Sequence, residues 1–252
     1  MSAIFKREFK SYFTTPIGYI VLAVMMIVHG WAFADVYEAG SPDISYVFTS
    51  FLSTLIVFIL IPPILTMRSM SEDRRQKVDQ ALLTAPVSLT SIVMGKFFAA
   101  LALFAIGFAP TVIFEIIVAS YVSVNIMSYI YALFGMLLLG SALIAIGMFI
   151  SSLTESPIIS IIFTLIANLF IMFSGAFAGM ITVPTTTSNI FAAIGAGILK
   201  VVVSFLNGMN FLAVLESFGE QSFAIKDVIF FLSIIAAFIF LTERSLEKRR
   251  WS

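Results

Sequence analysis

The sequence predicts an all-α integral membrane protein with six transmembrane helices. Hydrophobic residues make up 60% of the chain and charged ones 11%, and the mean hydropathy is +1.08, a balance no water-soluble domain shows. Its 252 residues leave room for about six spans of ~20 residues each, plus loops. Charge is also unevenly placed: it gathers near the amino terminus, in residues 68–96 and in the carboxyl tail, between apolar blocks that carry almost none.

Residues 1–15 are basic and amphipathic. Phe5, Phe9 and Phe13 recur four apart, with Lys6, Arg7 and Lys10 opposite them, as expected of a helix lying in the headgroup plane. Thr15-Pro16 reads as a cap followed by a first-turn proline, so the first span is expected at 17–34. Ala32-Phe33-Ala34 has the spacing of a signal-peptidase site, but the apolar run is long for a signal peptide and reads as a retained span. Residues 35–46 hold Asp35, Glu38 and Asp43 and no Lys or Arg. The second span is expected at 46–67, kinked or broken at Pro62-Pro63.

Residues 68–90 must lie in water, because lipid would charge several kcal/mol for each of their many ionised groups. Ser69 and Glu72 have capping-box spacing. Val78, Ala81, Leu82 and Ala85 then form one apolar stripe on a charged helix that Pro86 ends. A helix so placed, with no core of its own, either docks on a partner or lies solvated over the headgroups. Ser88 is placed to cap the helix that re-enters the membrane near Ile92.

The 39 residues between Glu115 and Glu155 carry no charge, too many for one crossing. Ser123-Val124-Asn125 is the natural reversal, which gives a third span at 91–121, long and tilted or kinked at Pro110, and a fourth at 126–151. The fourth carries Gly135, Gly140, Ser141, Ala145 and Gly147, small residues that let helices approach closely. A fifth span is expected at 157–180 with a Gly175-x-x-x-Gly179 spacing, and a sixth at 225–242. Residues 181–224 are apolar enough to suggest a seventh. Charge decides against it. With six spans and both termini inside, Lys6, Arg7, Lys10, Arg68, Arg74, Arg75, Lys77, Lys96, Arg244, Lys248, Arg249 and Arg250 are inside, leaving only Lys200 and Lys226 outside. Residues 181–224 therefore become an external helical segment.

Several chemistries are excluded. The chain has no cysteine, hence no disulfide and no thiolate ligand, and its one histidine, His29, cannot build a metal site. Gly95-Lys96-Phe97 lacks the first glycine and the hydroxyl of a phosphate-binding loop, so no ATP site is expected here. No catalytic residues are expected, and nothing points to nucleic acid. Glu115, alone within an apolar run, reads either as a transport or gating group or as a side chain reaching the interface. Asn168, near the middle of the fifth span, reads as an interhelical hydrogen bond before a substrate contact.

Met67-Arg68, Glu72-Asp73-Arg74-Arg75, Leu82-Leu83-Thr84-Ala85-Pro86-Val87-Ser88 and Gly95-Lys96, with the opening Phe5-Lys6-Arg7-Glu8-Phe9-Lys10-Ser11-Tyr12-Phe13, resemble ABC-2-type transporter permeases. The six-span branch that includes the gliding-motility permeases is the most similar. The sequence departs from that pattern at Lys77-Val78, where a Gly-Thr pair is usual, and at Gln80, where Glu is usual. The resemblance implies a permease subunit of an exporter in a bacterial inner membrane, paired with a second, identical or related permease. It implies that residues 68–90 carry a coupling helix, 72–83, that packs on a separate ABC ATPase. The stripe Val78, Ala81 and Leu82 would fill a groove there, with Glu72, Asp73, Arg74, Arg75 and Asp79 at its rim. ATP and magnesium would belong to that partner. A membrane anchor or assembly scaffold without a translocation path is the alternative. The substrate is not legible.

Overall fold

The computed structural model describes residues 1–38, 51–75, 77, 87–120, 125–182, 190–211, 214 and 225–250. Every element among them is an α-helix. Helix α1 covers Ser2–Thr14, and Thr15 is extended before Pro16 opens α2, Pro16–Glu38. Helices α3, Phe51–Thr66, and α4, Ser71–Arg75, follow. Next come α5, Leu89–Ile106, and α6, Ala109–Ala119. Helix α7 is the long Ile126–Leu153; α8 is Pro157–Met172 and α9 the short Ser174–Met180. Helices α10, Ile190–Gly208, and α11, Ile225–Arg250, complete the order. Five stretches are long and apolar enough to cross a membrane: Pro16–Asp35, Leu55–Arg75, Leu89–Ala119, Ile126–Leu153 and Ile225–Lys248. Helices α8 and α9 supply a sixth if taken as one bent span. The chain is thus an all-α, multi-pass membrane protein.

Helix α7 is the hub: it packs against α3, α5, α8 and α11. Its small residues make this possible. A Cβ on Gly140 would lie 2.0 Å from the Phe104 ring of α5, and one on Gly147 would lie 2.3 Å from the Thr66 hydroxyl of α3. The core around them is aromatic and aliphatic, with Phe58, Phe104, Phe108, Leu65 and Met136 fully buried or nearly so. At its start, the Asn125 side chain accepts from the Met127 and Ser128 amides and caps the helix. The Ser88 hydroxyl caps α5 in the same way, accepting from the Ser91 amide at 3.3 Å.

Helix α3 is not broken at Pro62-Pro63. A proline at position 62 has no N–H to give the Phe58 carbonyl one turn earlier. Asn168, on α8 and fully buried, donates its Nδ2 to that carbonyl at 3.1 Å. The Thr66 hydroxyl donates to the Pro62 carbonyl at 2.8 Å. A side chain from a neighbouring helix thus satisfies the carbonyl that Pro62 leaves open, which is how such helices persist in lipid. Asn168→Leu should destabilise the protein by about 1–3 kcal/mol, the cost of an orphaned buried acceptor. Adding Pro62→Ala, which restores the N–H, should recover most of that loss in detergent melting. No recovery would separate Asn168 from the proline.

Two long spans are interrupted. The third breaks at Gly107-Phe108, and α6 restarts with Pro110 in its first turn, where a missing N–H costs nothing. The fifth was expected as one helix but bends by 55° at Phe173, whose φ of −94° and ψ of 5° leave the helical range. Ser174 bonds back to the Ile171 carbonyl at 2.8 Å, competing locally with the backbone ladder. Gly175 meets the Asn210 amide beyond α10, whereas Gly179 faces open space, so the Gly-x-x-x-Gly spacing is half used.

Candidate coupling interface

The basic end of the bundle is built from α1, the turn before α4, and the starts and ends of three spans. Phe5, Phe9 and Phe13 stack along α1, with ring centroids 5.7 and 5.2 Å apart in succession. Helix α1 packs against α5, and Gly95 is needed there because a Cβ would lie 3.0 Å from Ile4. Lys6 and Lys10 are exposed, as a headgroup-facing side would be. Arg7 is not wholly given to headgroups: it holds Glu8 at 2.6 Å and approaches Asp73 at 4.0 Å.

Lys96, on the second turn of α5, is the centre of this region. Its side chain is 2% exposed. Its ammonium donates to Glu8 at 3.1 Å and to the Ser69 carbonyl at 2.6 Å, and it forms an ion pair with Asp73 at 2.7 Å. Burial alone would raise the Glu8 carboxyl, but Lys96 and Arg7 hold it below the usual carboxylate range. Glu8 therefore stays ionised at neutral pH, and its contribution to this joint is lost only as pH falls through that lowered value. Tyr12 adds a further tie, its hydroxyl donating to the Leu65 carbonyl at 2.8 Å. The same groups border a cavity of about 340 Å³ lined by Arg7, Glu8, Tyr12, Arg68, Glu72 and Asp73, among others.

On its other side the loop is held by α7. The Ser151 hydroxyl accepts from the Met70 and Ser71 amides, both at 3.1 Å, and so occupies the free donors at the start of α4. Arg74 pairs with Glu155 at 2.5 Å. Within the loop, Arg68 pairs with Glu72 at 2.5 Å and the Ser71 hydroxyl bonds the Met67 carbonyl.

Two expectations change here. The Ser69–Glu72 capping box does not form, because the Ser69 amide donates to the Thr66 carbonyl at 3.0 Å and Glu72 turns to Arg68. Residues 72–83 are not one continuous helix. Helix α4 ends at Arg75, and Lys77 has a φ of 57°, a left-handed conformation that stops an α-helix and suits the glycine usual in similar permeases. Val78, Asp79, Ala81 and Leu82 lie outside the described residues. Of the rim residues, Glu72, Asp73 and Arg74 form ion pairs within the chain, while Arg75 is exposed.

Glu115 and Asn168, the candidates for a transport path, lie elsewhere and are buried. Glu115 is 8% exposed on α6. One turn before it, Thr111 donates to the Phe108 carbonyl at 2.7 Å, which leaves the Tyr129 hydroxyl as donor in their 3.0 Å contact. Asn168 is enclosed between α8 and α3, as above. His29 is buried in α2, its ring 5.0 Å from that of Phe108.

Sequence reasoning missed Lys96, Glu8 and Ser151. Lys96 had a signal: it is a lone cation flanked by Val93, Met94, Phe97 and Phe98, where an ionised group needs partners. Ser151 had none, since a serine near a helix end carries no mark of what it caps.

The sequence model described as ABC-2 family transporter protein matches residues 33–242. The chain belongs to the ABC-2 transporter family. No curated protein matches it. The matched stretch runs from the end of α2 into α11 and includes the loop, Lys96 and α7; α1 precedes it. As an ABC-2 family member this chain is a transport permease, a multi-pass membrane subunit of a family that normally works with an ABC ATPase. The match is to the family as a whole and selects no branch.

Proposed function

We propose that this ABC-2 permease is the membrane half of an exporter driven by a separate ATPase, and that residues 68–90 are the ATPase dock. One observation carries the reading: the described first part of the loop, up to Arg75, is no loosely solvated turn. It is fastened to α1 and α5 through Lys96 and to α7 through Ser151 and Glu155. A load applied to such a loop reaches several spans at once. The basic residues support a cytoplasmic placement of this face and of both termini, as in a bacterial inner membrane. Two permeases, identical or related, would enclose the path, and ATP with magnesium would be handled by the partner. The chain's own role is then to shift between two packings of its spans. Tagged permease purified in mild detergent should bring with it a soluble ATPase subunit, and ATP hydrolysis by that subunit should differ between the free and the permease-bound state. A permease that retains no ATPase under cross-linking would return the chain to the anchor or scaffold reading.

A further inference from the structure

We propose that Lys96 is a positioning residue that locks the ATPase-docking loop, the amino-terminal helix and the third span into one moving body. The proposal rests on the docking assignment above and adds the residue through which movement leaves the loop.

Three partners from different segments surround the ammonium: it donates to Glu8 on α1 and to the Ser69 carbonyl in the turn before α4, and it pairs with Asp73 on α4 at 2.7 Å. If the task were only to glue α1 to α5, apolar residues would serve as they do around Gly95 and Ile4, since a buried ion pair seldom stabilises more than a well-packed apolar contact. What the ionic joint does better is resist partial separation. Pulling the loop away strips the buried ammonium of Asp73 and the Ser69 carbonyl and leaves it Glu8 alone, so a displacement of Asp73 and Ser69 is passed to Lys96 instead of being absorbed in the turn at 67–70. The far end of the same span is jointed at Gly107-Phe108, where α5 can move as a lever relative to α6. On the opposite side Ser151 and Glu155 connect the loop to α7, so one displacement can act on two spans.

The test uses the permease–ATPase complex with spin labels at Ile106 on α5 and Met127 on α7, both exposed positions. Wild type should show a change in the distance between the labels when the ATPase is trapped with ATP and vanadate. Lys96→Met should keep ATPase binding and hydrolysis and lose that change. Because Lys96→Met leaves Glu8 without its ammonium, the double variant Lys96→Met, Glu8→Gln is the companion; it leaves the docking loop, Asp73 included, unchanged and should behave the same way. A merely structural role would reduce binding, hydrolysis and the distance change together. The proposal is overturned if the double variant retains the nucleotide-driven change, or if it loses the ATPase altogether. A wild-type permease that captures no ATPase would instead remove the docking assignment, and this proposal with it.

Discussion

Leu82→Asp should abolish recovery of the ATPase with the permease while leaving the permease inserted and folded. In the sequence the apolar stripe Val78, Ala81, Leu82 and Ala85 begins immediately after Lys77, whose backbone is left-handed. Truncating a buried apolar anchor of an interface costs about 2 kcal/mol or more, roughly 30-fold in affinity, and a charge in the same pocket adds its own desolvation. Arg75→Ala, at an exposed position, should weaken binding only a few-fold. Substitutions at Glu72, Asp73 or Arg74 are poor probes of the contact, because each breaks an ion pair inside the permease first. Co-purification from cells expressing both subunits, with thermal melting of the permease as control, measures both sides. If Leu82→Asp retains the ATPase as tightly as wild type, this loop is not the dock.

The contrast between that stripe and the Lys96 joint shows what the sequence can carry. The apolar spans, the small-residue face of α7 and the caps at Ser88 and Asn125 are local patterns, legible because composition and spacing alone set them. Pro62-Pro63 is local too, and it misled: the missing hydrogen bond is real, but Asn168 arrives from a helix more than a hundred residues away to supply it. Asn168 itself was legible as an interhelical bond, although its acceptor was not. The Lys96 joint is harder again. Glu8, Asp73 and Lys96 lie on three segments, and no spacing rule brings them together. Glu8 and Asp73 each read singly as a solvated charge near a membrane face, and the apolar flanks of Lys96 say only that it needs partners, not which. The end of α4 at Arg75, two residues before the left-handed Lys77, is illegible for another reason: a lysine in a left-handed turn contradicts its own propensity, so helix periodicity runs straight through it.

Gly140→Val should leave the permease unable to reach a stable fold, and Gly140→Ala should lower its melting temperature by several degrees. Helix α7 touches four other spans, and at Gly140 the Phe104 ring of α5 lies directly against it. An added Cβ would stand 2.0, 2.5 and 2.9 Å from three carbons of the Phe104 ring. That ring cannot step aside easily. It is fully buried, edge-on to Phe108 at 5.2 Å and tilted against Phe58 at 6.0 Å. Forcing one extra carbon into such a core typically costs 1–3 kcal/mol, roughly the range in which overpacking outweighs the ~1 kcal/mol that alanine gains over glycine in a helix. Valine brings two further carbons to the same wall, with no free rotamer to move them into. Gly179→Ala is the matched control, since nothing lies within 4 Å of its added Cβ, and it should melt with wild type or slightly above. Phe104→Leu combined with Gly140→Ala should recover part of the loss by making room where the ring tip stood. Equal melting of Gly140→Ala and Gly179→Ala would mean that α5 and α7 are not packed this closely, and the hub assigned to α7 would have to be placed on another helix.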